Sequence, residues 1–177
     1  MCHCPASACR QTGDRAILQK KQRTFQLMDR FFTDWFNALN EGLEKMSIEE
    51  CSRLFSRCAQ KCSCDALKYL YRDLFDECGK DLDKFFSRVC EKKDVKGRVI
   101  ESGKIYELIF TSCGCPLHTE AGINSTRLCE CSRRSMICVF KNLVPERKFS
   151  IECMASILSG DSECCHRIVL KNNGEQA

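Results

Sequence analysis

Lys148-Phe-Ser-Ile-Glu-Cys-Met-Ala155 and Cys164-Cys-His-Arg-Ile-Val-Leu170, joined through Gly160-Asp161, are the two runs that decide the class of fold. In the first, Phe149, Ile151 and Cys153 alternate with Ser150, Glu152 and Met154; in the second, His166, Ile168 and Leu170 recur at every other position. Successive side chains on a strand point to opposite faces, so this pattern predicts two strands with one face buried. The connection predicts that they close as an antiparallel pair.

Upstream, Arg98 to Ile100 and Lys104 to Phe110 are rich in β-branched and aromatic residues on either side of Glu101-Ser-Gly. They predict two further strands and a sheet of about four. Before Gly97 the period is different. Leu18, Phe25, Met28, Phe32, Trp35, Phe36, Leu39 and Leu43 recur mostly at three- and four-residue steps, which predicts a long amphipathic helix from Ala16 to Leu43. Ser47 with Glu50 forms a capping-box signal for a second helix to about Ala59. Asp65 is a candidate cap for a third, with a Leu67, Leu70, Leu74, Cys78 stripe broken at Gly79; Leu82, Phe85, Phe86 and Val89 mark a fourth. Ser132 caps a fifth, with Met136, Val139, Phe140 and Leu143 inward and Pro145 at its end. The expectation is an α+β domain, a helical layer on an antiparallel sheet, over residues 14–172, with 1–13 as a cysteine-containing tail.

A chain of 177 residues with 44% apolar content suits one domain with a sizeable core. Lys and Arg number 28 against 24 Asp and Glu, with the signs interleaved, which makes no case for nucleic acid or an anionic membrane. The longest apolar runs fall far short of the roughly 18 to 20 residues that span a bilayer. The N-terminal run Met1-Cys-His-Cys-Pro lacks a signal-peptide core. The seventeen cysteines are dense enough to raise a disulfide scaffold. Their odd number, the size of the core and the absent signal segment favour reduced thiols in a cytoplasmic protein, some of them held by metal.

The chemistry-bearing pattern is Cys113-Gly-Cys-Pro followed by Cys129-Glu-Cys131, across an aperiodic stretch from 111 to about 126. Four thiolates from Cys113, Cys115, Cys129 and Cys131 suit tetrahedral zinc, or alternatively an iron-sulfur cluster. If the pairs are extended, each instead places two thiols on one sheet face, and disulfides are the third reading. Cys58, Cys62 and Cys64 are further ligand candidates, the first two sharing a helix face by i,i+4 spacing. His118, Glu120 and Glu130 stand near these elements as candidates for proton transfer, with surface residues as the plainer reading. No glycine-rich nucleotide loop, phosphate-binding loop, zincin helix or hydrolase elbow occurs.

The stretch Cys131-Ser-Arg-Arg-Ser-Met-Ile-Cys-Val-Phe140, with the two closing runs, resembles the ending of vinyl-4-reductase-type small-molecule-binding domains and of proteins grouped with L-2-amino-thiazoline-4-carboxylate hydrolases. Gly160 and Cys164 match that ending, and His166 stands where an aromatic residue is usual. The resemblance covers about residues 105–170. It implies a fold related to vesicle-tethering TRAPP-type domains, a small-molecule pocket between the layers, and compatibility with a homodimer. Two functions follow as expectations: a metal-binding sensory domain, or a metal-assisted hydrolase of a cyclic amidine-type molecule. A cysteine-rich structural protein without fixed metal is the third. Four protein thiolates on zinc leave no open position, which favours the structural site over the zinc-hydroxide one.

Overall fold

The computed structural model describes residues 30–66 and 70–171. The tail thiols Cys2, Cys4 and Cys9 with His3, the first part of the long helix from Ala16, and Leu67 lie outside the described residues.

Helix α1 covers residues 30–44. A capping box then opens α2 (Ile48–Ala66): the Glu50 carboxylate accepts from the Ser47 amide at 2.8 Å, and the Ser47 hydroxyl accepts from the Glu50 amide at 3.2 Å. The helix runs past Ala59 and carries Cys58, Cys62, Cys64 and Asp65 within it. Asp65 therefore caps no third helix, and Cys64 lies in the last turn of α2, not in a turn between helices. After a widened turn at Leu70–Tyr71, α3 (Arg72–Glu77) buries Leu74 and Phe75 and stops at Gly79, whose φ of 66° suits a residue without a Cβ. Leu74 and Cys78 of the predicted stripe are buried, whereas Leu70 is exposed and Tyr71 takes the inward place at that turn.

Asp81 caps α4 (Leu82–Arg88) by accepting from the Lys84 amide at 3.1 Å. Strands β1 (Val95–Glu101) and β2 (Ile105–Phe110) follow as an antiparallel pair. Gly97 lies inside β1 and not at a boundary. A Cβ there would meet the Phe86 carbonyl oxygen at 2.0 Å, so glycine is what lets α4 press onto β1.

The aperiodic stretch holds a single short helix, α5 (Pro116–Thr119), and a 3-10 turn at Thr126–Leu128 that feeds directly into α6 (Cys129–Leu143). Ser125, not Ser132, is the capping residue, its hydroxyl accepting from the Arg127 amide at 3.2 Å. Strands β3 (Phe149–Ala155) and β4 (Cys164–Leu170) close the chain as predicted. The sheet order is β1-β2-β4-β3, all antiparallel.

This is a mixed α+β fold with one sheet face covered by helices. Phe75, Phe85, Phe86, Val139 and Phe140 from α3, α4 and α6 pack on Tyr106, Leu108, Ile151 and Ile168 from the sheet. A second cluster joins Leu43 of α1 and Cys51, Phe55 and Ala59 of α2 to Ile123, Leu128 and Cys131. Cys51 and Cys78 are buried among apolar side chains and behave as small hydrophobes. No described helix is long and apolar enough to cross a membrane.

Candidate functional site: a sulfur-lined end of the domain

Topology gathers the cysteines. Strand β2 ends at Phe110, opposite Cys164 at the start of β4, and the chain then travels through Cys113 and Cys115 to the first residue of α6. The turn from β3 to β4 lies at the same end. The Asn40 side chain of α1 fixes the incoming loop, its oxygen accepting from the amides of Asn124 and Ser125 at 2.9 and 2.8 Å.

The predicted tetrad is split by helix geometry. Residues two apart on an α-helix are about 200° apart around its axis. Cys129 and Cys131 occupy the first turn of α6 and face different neighbours. Cys131 is buried in the second cluster, and its thiol is pushed up to about 12, first by burial and then by the nearby sulfurs of Cys62, Cys115 and Cys58. Cys115, half-buried at the start of α5, is likewise raised by burial, against backbone amides of Leu117 and His118 directed at it; Cys113 and Cys62 lie within electrostatic reach. Cys58 and Cys62 are exposed one turn apart on α2, and Cys64 is also exposed.

Cys129 faces the sheet instead. Its sulfur is 2.8 Å from the Ser156 hydroxyl oxygen, and burial raises its pKa, with Cys164, Cys113 and Cys115 in electrostatic reach. Cys164 is raised by burial too; its sulfur accepts from the Ile157 amide at 3.4 Å and also meets the Ser156 hydroxyl. Exposed Cys153 on the edge strand, pushed up to about 11 by burial of its thiol, senses both Cys129 and Cys164. Sequence reasoning missed Cys153, Cys164 and Ser156 as members of this end. The signal available was the antiparallel closing pair itself, which returns Cys164 to the level of Phe110.

Among the described residues no three or more His, Cys, Asp or Glu side chains are set in an arrangement that holds a metal ion. The sulfurs are neighbours without closing on one point.

The three proton-transfer candidates are spread apart in role. His118 Nδ1 lies 3.1 Å from the Ile123 carbonyl oxygen and helps close the α5 turn, and Glu120 is an exposed residue just after α5. Glu130 is buried, accepting from Arg133 Nε and Nη2 at 2.7 Å each with Arg134 at 3.5 Å. Burial opposes its ionisation, yet the arginines hold its pKa below the usual carboxylate range. Its carboxylate is committed to that ion pair.

His166 is buried on the helix-facing side of β4, opposite Cys153 and two residues from Cys164. Its ring meets Phe110 edge-on, and neither ring nitrogen has a hydrogen-bond partner. Such an orphaned pair costs on the order of 1 to 3 kcal/mol per group. Burial, with Arg133 nearby, lowers its pKa to about 4. At the opposite end of the sheet lies an open groove of about 580 Å³ between the C-terminal end of α6 and the start of β2, lined by Tyr106, Leu143, Arg147 and Leu170 among others.

No protein-family model matches the chain, and no curated protein matches it. Among solved structures it is similar to a trafficking protein particle complex subunit 3 from Naegleria fowleri covalently bound to palmitic acid, with a TM-score of 0.42 and 12% identity, covering 83% of this chain and 97% of that one. It is also similar to an H-NOX protein from S. oneidensis in the Fe(II)NO ligation state, with a TM-score of 0.43 and 13% identity, covering 77% of this chain and 72% of that one. Neither likeness assigns a ligand or activity here, and no family model stands behind the vinyl-4-reductase-type resemblance.

Proposed function

We propose that this chain is a cysteine-rich sensory domain in which Cys58, Cys62, Cys115 and Cys131 capture a thiophilic metal ion, zinc first and an iron-sulfur cluster as the alternative. The observation that carries the reading is the surroundings of Cys131: sulfurs from α2 and from the start of α5 both lie within its electrostatic reach. Two ligands on one face of α2, one on α6 and one at α5 would tie three elements together. When bound, the metal supplies a four-sulfur cross-link with no open position, which is a structural and sensory role and not a hydrolytic one.

Each thiol must lose its proton and turn toward its partners, so capture releases protons and stiffens this end of the domain. Cys113, Cys129 and Cys64 fall outside this set, Cys129 because α6 turns it toward the sheet. A small-molecule ligand belongs to the groove at the far end, where Arg147 offers a polar contact beside Leu143 and Leu170.

The test is anaerobic purification with metal analysis and a visible spectrum. Stoichiometric zinc without colour, lost in Cys131→Ser and Cys62→Ser and kept in Glu120→Gln, is the expected result. Strong visible absorption with iron and sulfide would select the cluster. A chain that purifies without stoichiometric metal, and takes up none when zinc is added to its reduced form, would sink the reading.

A further inference from the structure

We propose that Cys129 and Cys164 are a thiol pair that closes into a disulfide by exchange with a low-molecular-weight disulfide, tying the first turn of α6 to the first residue of β4. The inference does not depend on metal at the other face of α6.

The Ser156 hydroxyl carries the geometry. It lies 2.8 Å from the Cys129 sulfur and also meets the Cys164 thiol. The next residue, Ile157, directs its amide at the Cys164 sulfur at 3.4 Å, so consecutive residues of the β3–β4 turn hold the two sulfurs, and Cys164 lies within electrostatic reach of Cys129. Ser156 is itself held: its amide donates to the Asp161 carboxylate at 2.8 Å, and its hydroxyl accepts from the Leu158 amide at 3.1 Å. The bridge is thus a fixed point between the two thiols.

The two sulfurs are suited to different steps. Cys164 accepts from the Ile157 amide at 3.4 Å as well as meeting Ser156, so its thiolate has donors waiting. Cys129 is the first residue of α6, and its sulfur already lies 2.8 Å from the Ser156 hydroxyl oxygen. Both are half-buried.

The exchange balances without further reagents. Cys164 loses its proton to solvent and attacks one sulfur of a disulfide RSSR, expelling RS⁻ and forming a mixed disulfide. Cys129 then loses its proton and attacks the Cys164 sulfur, expelling the second RS⁻. The two thiolates take up the two protons, so two protein thiols and RSSR become one protein disulfide and two RSH; the protein is oxidised and RSSR reduced.

The full chain, reduced and treated with a chelator, is exposed to oxidised glutathione, and its peptides are mapped by mass spectrometry. The expected product is a Cys129–Cys164 cross-link with the loss of two hydrogens. Cys129→Ser is expected to accumulate a lasting glutathione adduct on Cys164, and Cys164→Ser to lose the cross-link. The wild-type map alone decides the main point if a variant fails to fold. A product dominated by Cys153–Cys164, Cys113–Cys129 or Cys58–Cys62, or no cross-link at all, would overturn the proposal. Zinc bound by a chain that never forms the cross-link would overturn it while leaving the metal reading standing; cross-linking without zinc uptake would do the reverse.

Discussion

Two single positions show what this fold tolerates. His166 keeps its imidazole neutral by burial, with its pKa lowered from 6.5 to about 4. Between those values the unfolded chain binds a proton that the folded chain does not, so stability falls as pH drops from 6.5 toward 4, by an amount on the order of 3 kcal/mol, and the loss levels off below 4. His166→Phe, which places an aromatic ring beside Phe110, is expected to flatten that dependence and to stabilise the fold at neutral pH by about 1 kcal/mol. Urea unfolding of both proteins across this pH range checks it; an unchanged slope would refute the assignment. Gly97 is the second position. Gly97→Ala drives a methyl group into the Phe86 carbonyl and is expected to cost about 3 kcal/mol, measured by the same unfolding midpoint. The sequence marks His166 only as standing where an aromatic residue is usual, with nothing to show its orphaned nitrogens, and a glycine beside the first strand looks like a boundary.

Elements were legible where a period was long or a cap complete. The Ser47–Glu50 box opens α2 where the sequence predicts, and Ser47→Ala is expected to lower stability by about 1 kcal/mol in thermal unfolding, with Ser47→Asp largely restoring it. Asp83 of α4 is a different kind of fastener. Its carboxylate accepts from the Ser102 hydroxyl, the Gly103 amide at 3.2 Å and the Tyr106 hydroxyl at 2.7 Å, joining α4 to the β1–β2 turn. Those donors, Ser102 first, hold its pKa below the ordinary carboxylate range. The stability it contributes is present above that range and is lost as pH falls through its folded value. The gap between wild type and Asp83→Asn should therefore narrow on acidification; a constant gap would argue against these donors as its source. What was not legible was the start of α6. A Ser125-capped 3-10 turn begins it ahead of any apolar period, so nothing in the pattern marks Cys129-Glu-Cys131 as helical and its two thiols as divergent. The same failure of period hid the last two turns of α2, where cysteines and polar residues continue the helix past Ala59. The antiparallel closing pair was legible from its alternation, whereas the sheet order β1-β2-β4-β3 was not, because alternation marks faces and not neighbours.

The molecule has two cores of unequal size. The sheet-facing cluster holds most of the large aromatic side chains, whereas the cluster under α1 and α2 rests on Leu43, Phe55, Ile123 and Leu128 with small neighbours. Native-state hydrogen exchange is expected to open α2 at a lower free energy than β2 and β4, and Phe140→Ala, which removes a ring packed on Phe86 and Phe149, to cost about 4 kcal/mol in global unfolding. If α2 and the sheet exchange through one common opening, the division into two cores fails. Metal at α2 and α6 would narrow the difference in exchange. Between the two cores runs α6, fifteen residues and about 22 Å long. Its first turn carries sulfur toward both α2 and β4, and its last residue forms a wall of the open groove beside Tyr106. One element thus belongs to both cores, Cys131 to the smaller and Met136, Val139, Phe140 and Leu143 to the larger, so that neither core is complete without it.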